Sequence, residues 1–166
     1  GGVLERYMGK SWSMEKNRGW EKMMQAYRVV MEHTAEPKLV IFNTANDDRD
    51  GAGFYQFFRY GFTSTLMDNG YFDFADHDPY NTVYWFDEYD LAGTATTSWL
   101  GRAIDPPQTS SWQNGVYRRR FENGMALVNP RGNGTQTVQI EAGYSRIQGT
   151  QDRETNNGRP VTTVTL

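Results

Sequence analysis

An unbroken apolar run, Leu39-Val40-Ile41-Phe42, constrains this chain more than any other feature, because a helical stripe stands on either side of it. Upstream, Trp20, Met23, Met24, Tyr27, Val30 and Met31 recur at offsets 0, 3, 4, 7, 10 and 11, which is one face of a helix. That helix should end near Ala35, since Pro37 disfavours helical geometry in the residue before it. Downstream, Phe54, Phe57, Phe58, Gly61, Phe62, Thr65 and Leu66 form a second stripe at offsets 0, 3, 4, 7, 8, 11 and 12, with Asp50 placed to cap it. A short strand apolar on both faces, set between helices, reads as a buried parallel strand. Val3-Leu4, running into Glu5, is compatible with a strand end before the first helix, and Tyr71-Phe72-Asp73-Phe74 with a third strand. The order strand, helix, strand, helix implies β/α units on a parallel sheet.

Beyond Gly70 the pattern changes. Ala75 to Asn114 is acidic, aromatic and turn-rich, as in a long functional or packing loop. From Gly115 the signals are those of antiparallel sheet. Val116 to Phe121 and Met125 to Val128 flank Asn123-Gly124, a strong hairpin signal because both residues tolerate positive φ. Further strands are expected at Thr135 to Ile140, Tyr144 to Gln148 and Val161 to Leu166. The fold class expected is α/β followed by all-β: partial (β/α) barrel units over residues 1–114, then an antiparallel, β-sandwich-like C-terminal domain over 115–166. The chain opens as if a strand were already under way and stops inside a strand pattern, so loss of sequence at both ends is expected.

Composition narrows the function classes. The net charge is -3, and Arg118-Arg119-Arg120 is the only basic run, so no nucleic-acid partner is expected. In a strand, Arg118 and Arg120 would share one face, and a solvated sheet surface is the expectation for the run. No stretch approaches the roughly 18 apolar residues of a membrane span, so no membrane partner is expected. There are no cysteines, which excludes thiolate metal sites and a cysteine nucleophile. Ten Tyr, nine Phe and five Trp supply rings for packing and flat faces for stacking on a ligand.

Several segments are jointly familiar: Trp85-Phe86-Asp87-Glu88-Tyr89-Asp90, Trp99-Leu100-Gly101, and Val116-Tyr117-Arg118-Arg119-Arg120-Phe121-Glu122-Asn123-Gly124-Met125-Ala126-Leu127-Val128-Asn129-Pro130. Together with Gly149-Thr150-Gln151-Asp152, Asn157-Gly158 and Val161 to Leu166, they resemble the C-terminal portion of a glycoside-hydrolase-like family. Its members are (β/α)8 barrels with a C-terminal β-domain. The resemblance is closer over Tyr71 to Leu166 than over Gly1 to Gly70. It implies hydrolysis of O-glycosyl bonds in a polysaccharide or oligosaccharide by carboxylate acid/base chemistry, without a cofactor, in a secreted or periplasmic protein. A closed barrel needs eight β/α units and about 200 or more residues. This chain offers two or three units, so by itself it is expected to have little or no activity. Its open sheet edges would favour self-association. The alternatives are a non-catalytic carbohydrate-binding module and a structural fragment that oligomerises through those edges.

Glycosidases commonly use two carboxyl groups, and barrels place such groups at strand C-terminal ends. Glu5 fits that position, Asp68 precedes the third strand in a good turn sequence, and Glu88 suits a cleft rim. Because Asp87 and Glu88 are adjacent, on a strand at most one of them would point into a site. Candidate sugar-binding residues are Tyr7, Trp12, Asn43, Tyr71, Tyr84 and Trp85. Most rings near strand ends, Trp85 and Trp99 especially, could instead seal the contact between barrel units and β-domain. Asn46-x-Asp48-x-Asp50-Gly51 opens like a calcium loop, but Phe57 stands where its bidentate Glu belongs. Asp73, Asp76, Asp78 and His77 form a second acidic cluster. Solvated loops are the expectation for both, and with two histidines far apart no metal site is expected.

Overall fold

The structure is a computed structural model that describes residues 1–46, 53–75, 84–89 and 99–166. Asp48, Asp50, Asp76, His77 and Asp78 lie outside the described residues. Strand β1 (Gly2–Met8), helices α1 (Met14–Arg18) and α2 (Trp20–His33), strand β2 (Val40–Ala45), helix α3 (Phe54–Leu66) and strand β3 (Tyr71–Ala75) come first. The three strands form a parallel sheet in the order β1-β2-β3. No helix among the described residues is long and apolar enough to cross a membrane.

Alternation along β2 decides which face is covered. Val40, Phe42 and Thr44 are fully buried against the helices, Phe42 meeting Tyr27 of α2 edge-on at 5.2 Å and Thr44 lying beneath Gly61 of α3. On β3, Phe72 and Phe74 both pack on Phe58 of α3, with ring centroids 5.6 Å away in each case. Residues of the opposite parity therefore face away from the helix layer. On that second face Val3 is 60% and Tyr71 57% exposed.

Helix α2 buries Trp20, Met23, Met24, Tyr27 and Met31, the stripe read from the sequence, and ends two residues before Ala35. Burying each such side chain is worth on the order of 1.5–3 kcal/mol. Its stripe is one element of a core that continues into the C-terminal region through Leu100, Tyr117, Phe121, Ala126 and Val128. The five-residue helix α1 falls in a stretch whose polar composition hid it. Ser13 caps it, accepting a bond from the Lys16 amide at 3.4 Å. The N-cap of α3 is Gly53, at φ 98°.

The C-terminal region carries a hairpin of β4 (Tyr117–Phe121) and β5 (Gly124–Val128), and a smaller pair of β6 (Thr137–Gln139) and β7 (Thr163–Thr165). The hairpin lies where the sequence signal placed it, but its turn is Glu122-Asn123, since Phe121 pairs with Gly124. Neither Asn123 nor Gly124 has positive φ. Gly124 serves close packing instead: a Cβ there would sit 2.9 Å from Leu100 Cδ1. Tyr144 to Gln148 makes only isolated bridges, Ser145 to Pro160 and Gln148 to Asn157, and no strand. Residues bonded to the β4 end of the hairpin begin at Leu100, whose carbonyl accepts from the Asn123 amide. Backbone pairing with this hairpin thus starts upstream of residue 114.

The two faces of the basic run differ: Arg118 and Arg120 share a partly exposed face of β4, and Arg119 is buried on the other. Arg119 is 2% exposed and caps the end of α3. It donates to the carbonyls of Leu66 at 3.0 Å and Asp68 at 2.6 Å, to Asp105 O at 3.1 Å, and to Asn69 Oδ1 at 2.6 Å. Its buried charge is compensated by carbonyl dipoles at a helix C-terminus, which favour cations. Arg120 makes a two-pronged bond to the Asp105 carboxylate, and Arg118 pairs with Glu141 and lies over the Trp112 ring.

Candidate functional site

The sheet face that none of the described helices covers carries a short polar chain towards the strand C-terminal ends. β1 and β2 pair regularly from Gly2 to Leu4, then slip: three residues of β1 separate Leu4 from Met8, while one of β2 separates their partners Phe42 and Thr44. The excess forms a bulge, and Arg6 within it stands at φ 46°, an uncommon conformation for a side chain of this size. The Arg6 amide thereby donates to Asn43 Oδ1 at 2.7 Å. The other end of the Asn43 amide donates to Asp73 Oδ2 at 2.5 Å, where Asn43 and Asp73 are register partners. Asn43 is 6% exposed, so its side chain is held at both ends. Asp73 lies exposed on the edge strand, with one carboxylate oxygen oriented by Asn43.

Glu5 joins this face but not at a strand end. β1 runs on to Met8, so Glu5 stands in mid-strand at the start of the bulge, its side chain 77% exposed and 3.9 Å from the Arg6 guanidinium. Trp12, 57% exposed, lies in the loop that follows β1 at the same end of the sheet. Ligands of open α/β sheets bind outside the carboxyl ends of the strands, and Arg6, Asn43 and Asp73 lie towards that end, from which the Trp12 loop leaves β1.

Other candidates fall elsewhere. Tyr7 turns into the helix layer, meeting Phe42 edge-on at 5.3 Å and donating to Met23 O; burial pushes its hydroxyl up to about 12. Tyr71 begins β3 and so lies at the far end of the sheet. Asp68 follows α3 at that same far end, buried, its Oδ1 accepting from the Asn69 amide at 2.7 Å. It is a turn residue beneath Arg119. Burial raises its carboxyl above the usual range, against the lowering pull of the Asn69 amide and of Arg119.

Glu88 is not on a cleft rim. Asp87–Tyr89 is a 3-10 turn, not a strand, and both of its carboxylates reach the 149–156 loop. Glu88 is 3% exposed; its Oε1 accepts from Arg59 at 3.3 Å and from Asn156 at 3.1 Å, while Oε2 is buried with no hydrogen-bond partner among the described residues. Asp87 accepts the amides of Thr150 and Gln151, each at 2.9 Å. Trp99 seals this junction, donating to Glu88 O at 3.0 Å. Trp85 does not, being 61% exposed. Tyr84 and Trp85 line an open groove between α3 and the C-terminal loops.

Reasoning from sequence named Asn43 but passed over Asp73 as a site residue and Arg6 altogether. Asp73 read as part of an acidic cluster, and only the strand register pairs it with Asn43. The Arg6 contact is made by backbone, which no side-chain pattern reports. No group of three or more acidic or histidine side chains among the described residues could hold a metal ion.

A family model described as hypothetical glycosyl hydrolase family 15 matches residues 1–125. That range holds all three parallel strands, the three helices and the first half of the hairpin, and leaves out the segment from 126 onward. Among curated proteins and among solved structures nothing matches the chain. The matched range is about three-quarters of the 166 residues, and the chain belongs to the hypothetical glycosyl hydrolase family 15.

Proposed function

We propose that the chain acts on a polysaccharide or oligosaccharide by carboxylate chemistry, at the strand ends where Arg6, Asn43 and Asp73 are joined. The observation that carries this reading is Asn43 itself. A buried amide held by a strained backbone N–H on one side and clasping an exposed carboxylate on the other is an orienting device. Asp73 is the acting carboxylate, suited to nucleophile or base because one oxygen is fixed and the group is exposed. Glu5, on the same face and largely exposed beside Arg6, is the partner for proton donation. Two such groups flanking the scissile bond are the ordinary requirement of glycoside hydrolysis. Trp12 offers a ring for a sugar's C–H face.

The proposed architecture is that of barrel units completed by further strands. What supports it is the row Val3, Ile41 and Tyr71 on the face that none of the described helices covers, two of whose members are more than half exposed. The test is reducing-sugar release from a glycan panel by the longest natural reading frame containing this sequence, with and without Asp73→Asn and Glu5→Gln. Turnover should fall at least about 100-fold in Asp73→Asn, the usual scale for a positioned acid or base. Turnover unchanged in both variants removes this site from the reading.

A second reading is non-catalytic carbohydrate binding, favoured by the exposed rings of Trp12, Trp85 and Tyr71. Retardation of the chain by a polysaccharide in affinity electrophoresis, with no turnover in any variant, would favour it over hydrolysis.

A further inference from the structure

The groove between α3 and the C-terminal loops is a built surface that the strand-end reading does not use. Its volume is about 1010 Å³, at the upper end of the range for small-molecule pockets and roomy enough for several linked sugar rings. Its rim carries Trp85, 61% exposed. A tryptophan ring left in water gains nothing for folding, yet this one is fixed. Its carbonyl accepts from Gln151 Nε2 at 2.8 Å, Gln151 in turn accepts from the Asp87 amide at 2.9 Å, and its ring meets Tyr89 edge-on at 5.7 Å. The result is a rigid, solvent-facing aromatic plate.

The groove wall beside it is polar and equally fixed. Arg59 binds Asp152 and Thr155 with one nitrogen and Glu88 with another. That holds the Asp152 carboxylate in place while leaving it 19% exposed to the groove. Arg146 also lines the groove, and its side chain makes no hydrogen bond or ion pair with any described residue. An aromatic plate, an oriented carboxylate and a spare guanidinium are the three things a pyranose uses: an apolar C–H face, a paired-hydroxyl acceptor and a hydroxyl or ring-oxygen donor. The mixture argues against a purely apolar occupant. The groove lies on the helix side of the sheet: Phe54, in its lining, meets Phe74 at 5.6 Å, whereas Asp73 faces the other side.

We propose that this groove binds a stretch of oligosaccharide, with a sugar ring stacked on Trp85 and its hydroxyls held by Asp152 and Arg146, as a glycan-binding site separate from the strand ends. The assignment of a glycan rests on the family reading; the choice of groove does not depend on which carboxylates act.

Isothermal titration of the full chain with cellohexaose, xylohexaose, maltohexaose and chitohexaose tests it, comparing Trp85→Ala, Trp85→Phe, Arg146→Ala and Asp73→Asn with the unaltered protein. At least one hexaose should bind. Trp85→Ala should weaken it roughly tenfold or more, the scale of one lost stacking contact. Trp85→Phe should restore part of the loss, and Asp73→Asn should bind as the unaltered chain does. Arg146→Ala, at a site with no structural bond to lose, gives the same reading if Trp85→Ala fails to fold. The proposal is overturned if no hexaose binds, or if Trp85→Ala and Arg146→Ala bind like the unaltered chain. Binding lost in Asp73→Asn but kept in Trp85→Ala overturns the groove and leaves the hydrolase reading standing. Groove binding without turnover in any variant keeps the groove and removes hydrolysis.

Discussion

At the scale of single residues, the carboxylates divide by what holds them. Asp105 accepts a forked bond from Arg120, and that bond first, with the Arg120 charge behind it, keeps its carboxyl below the usual range. Burial pushes Asp152 up, but the bond and charge of Arg59 together outweigh it and leave the group lowered. A carboxyl whose folded pKa is depressed gives stability that is complete above its unfolded value. That stability is lost as pH falls through the folded one. Unfolding free energy measured in urea should therefore decline as pH drops below about 4, where free aspartate protonates. In Asp105→Asn the decline should be shallower, because one of the two groups no longer titrates; an identical pH profile would show that the Arg120 fork contributes nothing. Asp68 looked like a catalytic candidate from its place before a strand, and the turn chemistry of Asp68-Asn69-Gly70 was the better guide. Asp73 was the reverse case: its neighbours in sequence suggested a solvated acidic cluster, and only strand register sets it beside Asn43.

At the scale of elements, helix α3 shows how packing overrides propensity. Gly61 lies in its interior, where alanine is ordinarily preferred by about 1 kcal/mol. Here a Cβ would come within 2.8 Å of Cβ and Cγ2 of the fully buried Thr44 on strand β2. Gly61→Ala should thus destabilise by about 1–3 kcal/mol, the usual cost of overpacking. Thr44→Ala in the same chain should recover part of it, as read from paired denaturation curves. Stabilisation by Gly61→Ala alone would mean that the helix does not approach the strand this closely. The stripes of α2 and α3 were legible because burial on one side imposes the helical period on the sequence. Helix α1 was not, since a five-residue helix needs only one cap and no stripe. The hairpin was legible as a hairpin, but its turn lies one residue earlier than the Asn-Gly signal suggests, because Gly124 is reserved for contact with Leu100.

At the scale of the whole molecule, the helix layer is shared. The parallel sheet and the β4–β5 hairpin both pack against it in one continuous core, Trp20 of α2 meeting Tyr117 of β4 at 4.5 Å. Arg119 fastens the two by satisfying carbonyls at the end of α3 from within β4. Removing it leaves several buried acceptors without donors, each costing about 1–3 kcal/mol. Arg119→Ala should lower unfolding free energy by about 3 kcal/mol or more and keep a single transition, because both sides share the core. Two separated transitions would contradict the shared core. None of this coupling was legible, since an arginine in an alternating run reads as surface until its partners, some fifty residues earlier, are known. The same holds for the strand-end site, where a backbone amide, a buried amide side chain and an exposed carboxylate come from three separate strands.

The most direct measurement is glycan hydrolysis by the natural reading frame carrying Asp73→Asn, set beside the unaltered protein and Glu5→Gln on the same panel. Turnover that falls at least about 100-fold in Asp73→Asn is the result expected if the strand ends are the hydrolytic site. Turnover that persists at the unaltered rate in both variants, or that no glycan elicits from the unaltered protein, would contradict it.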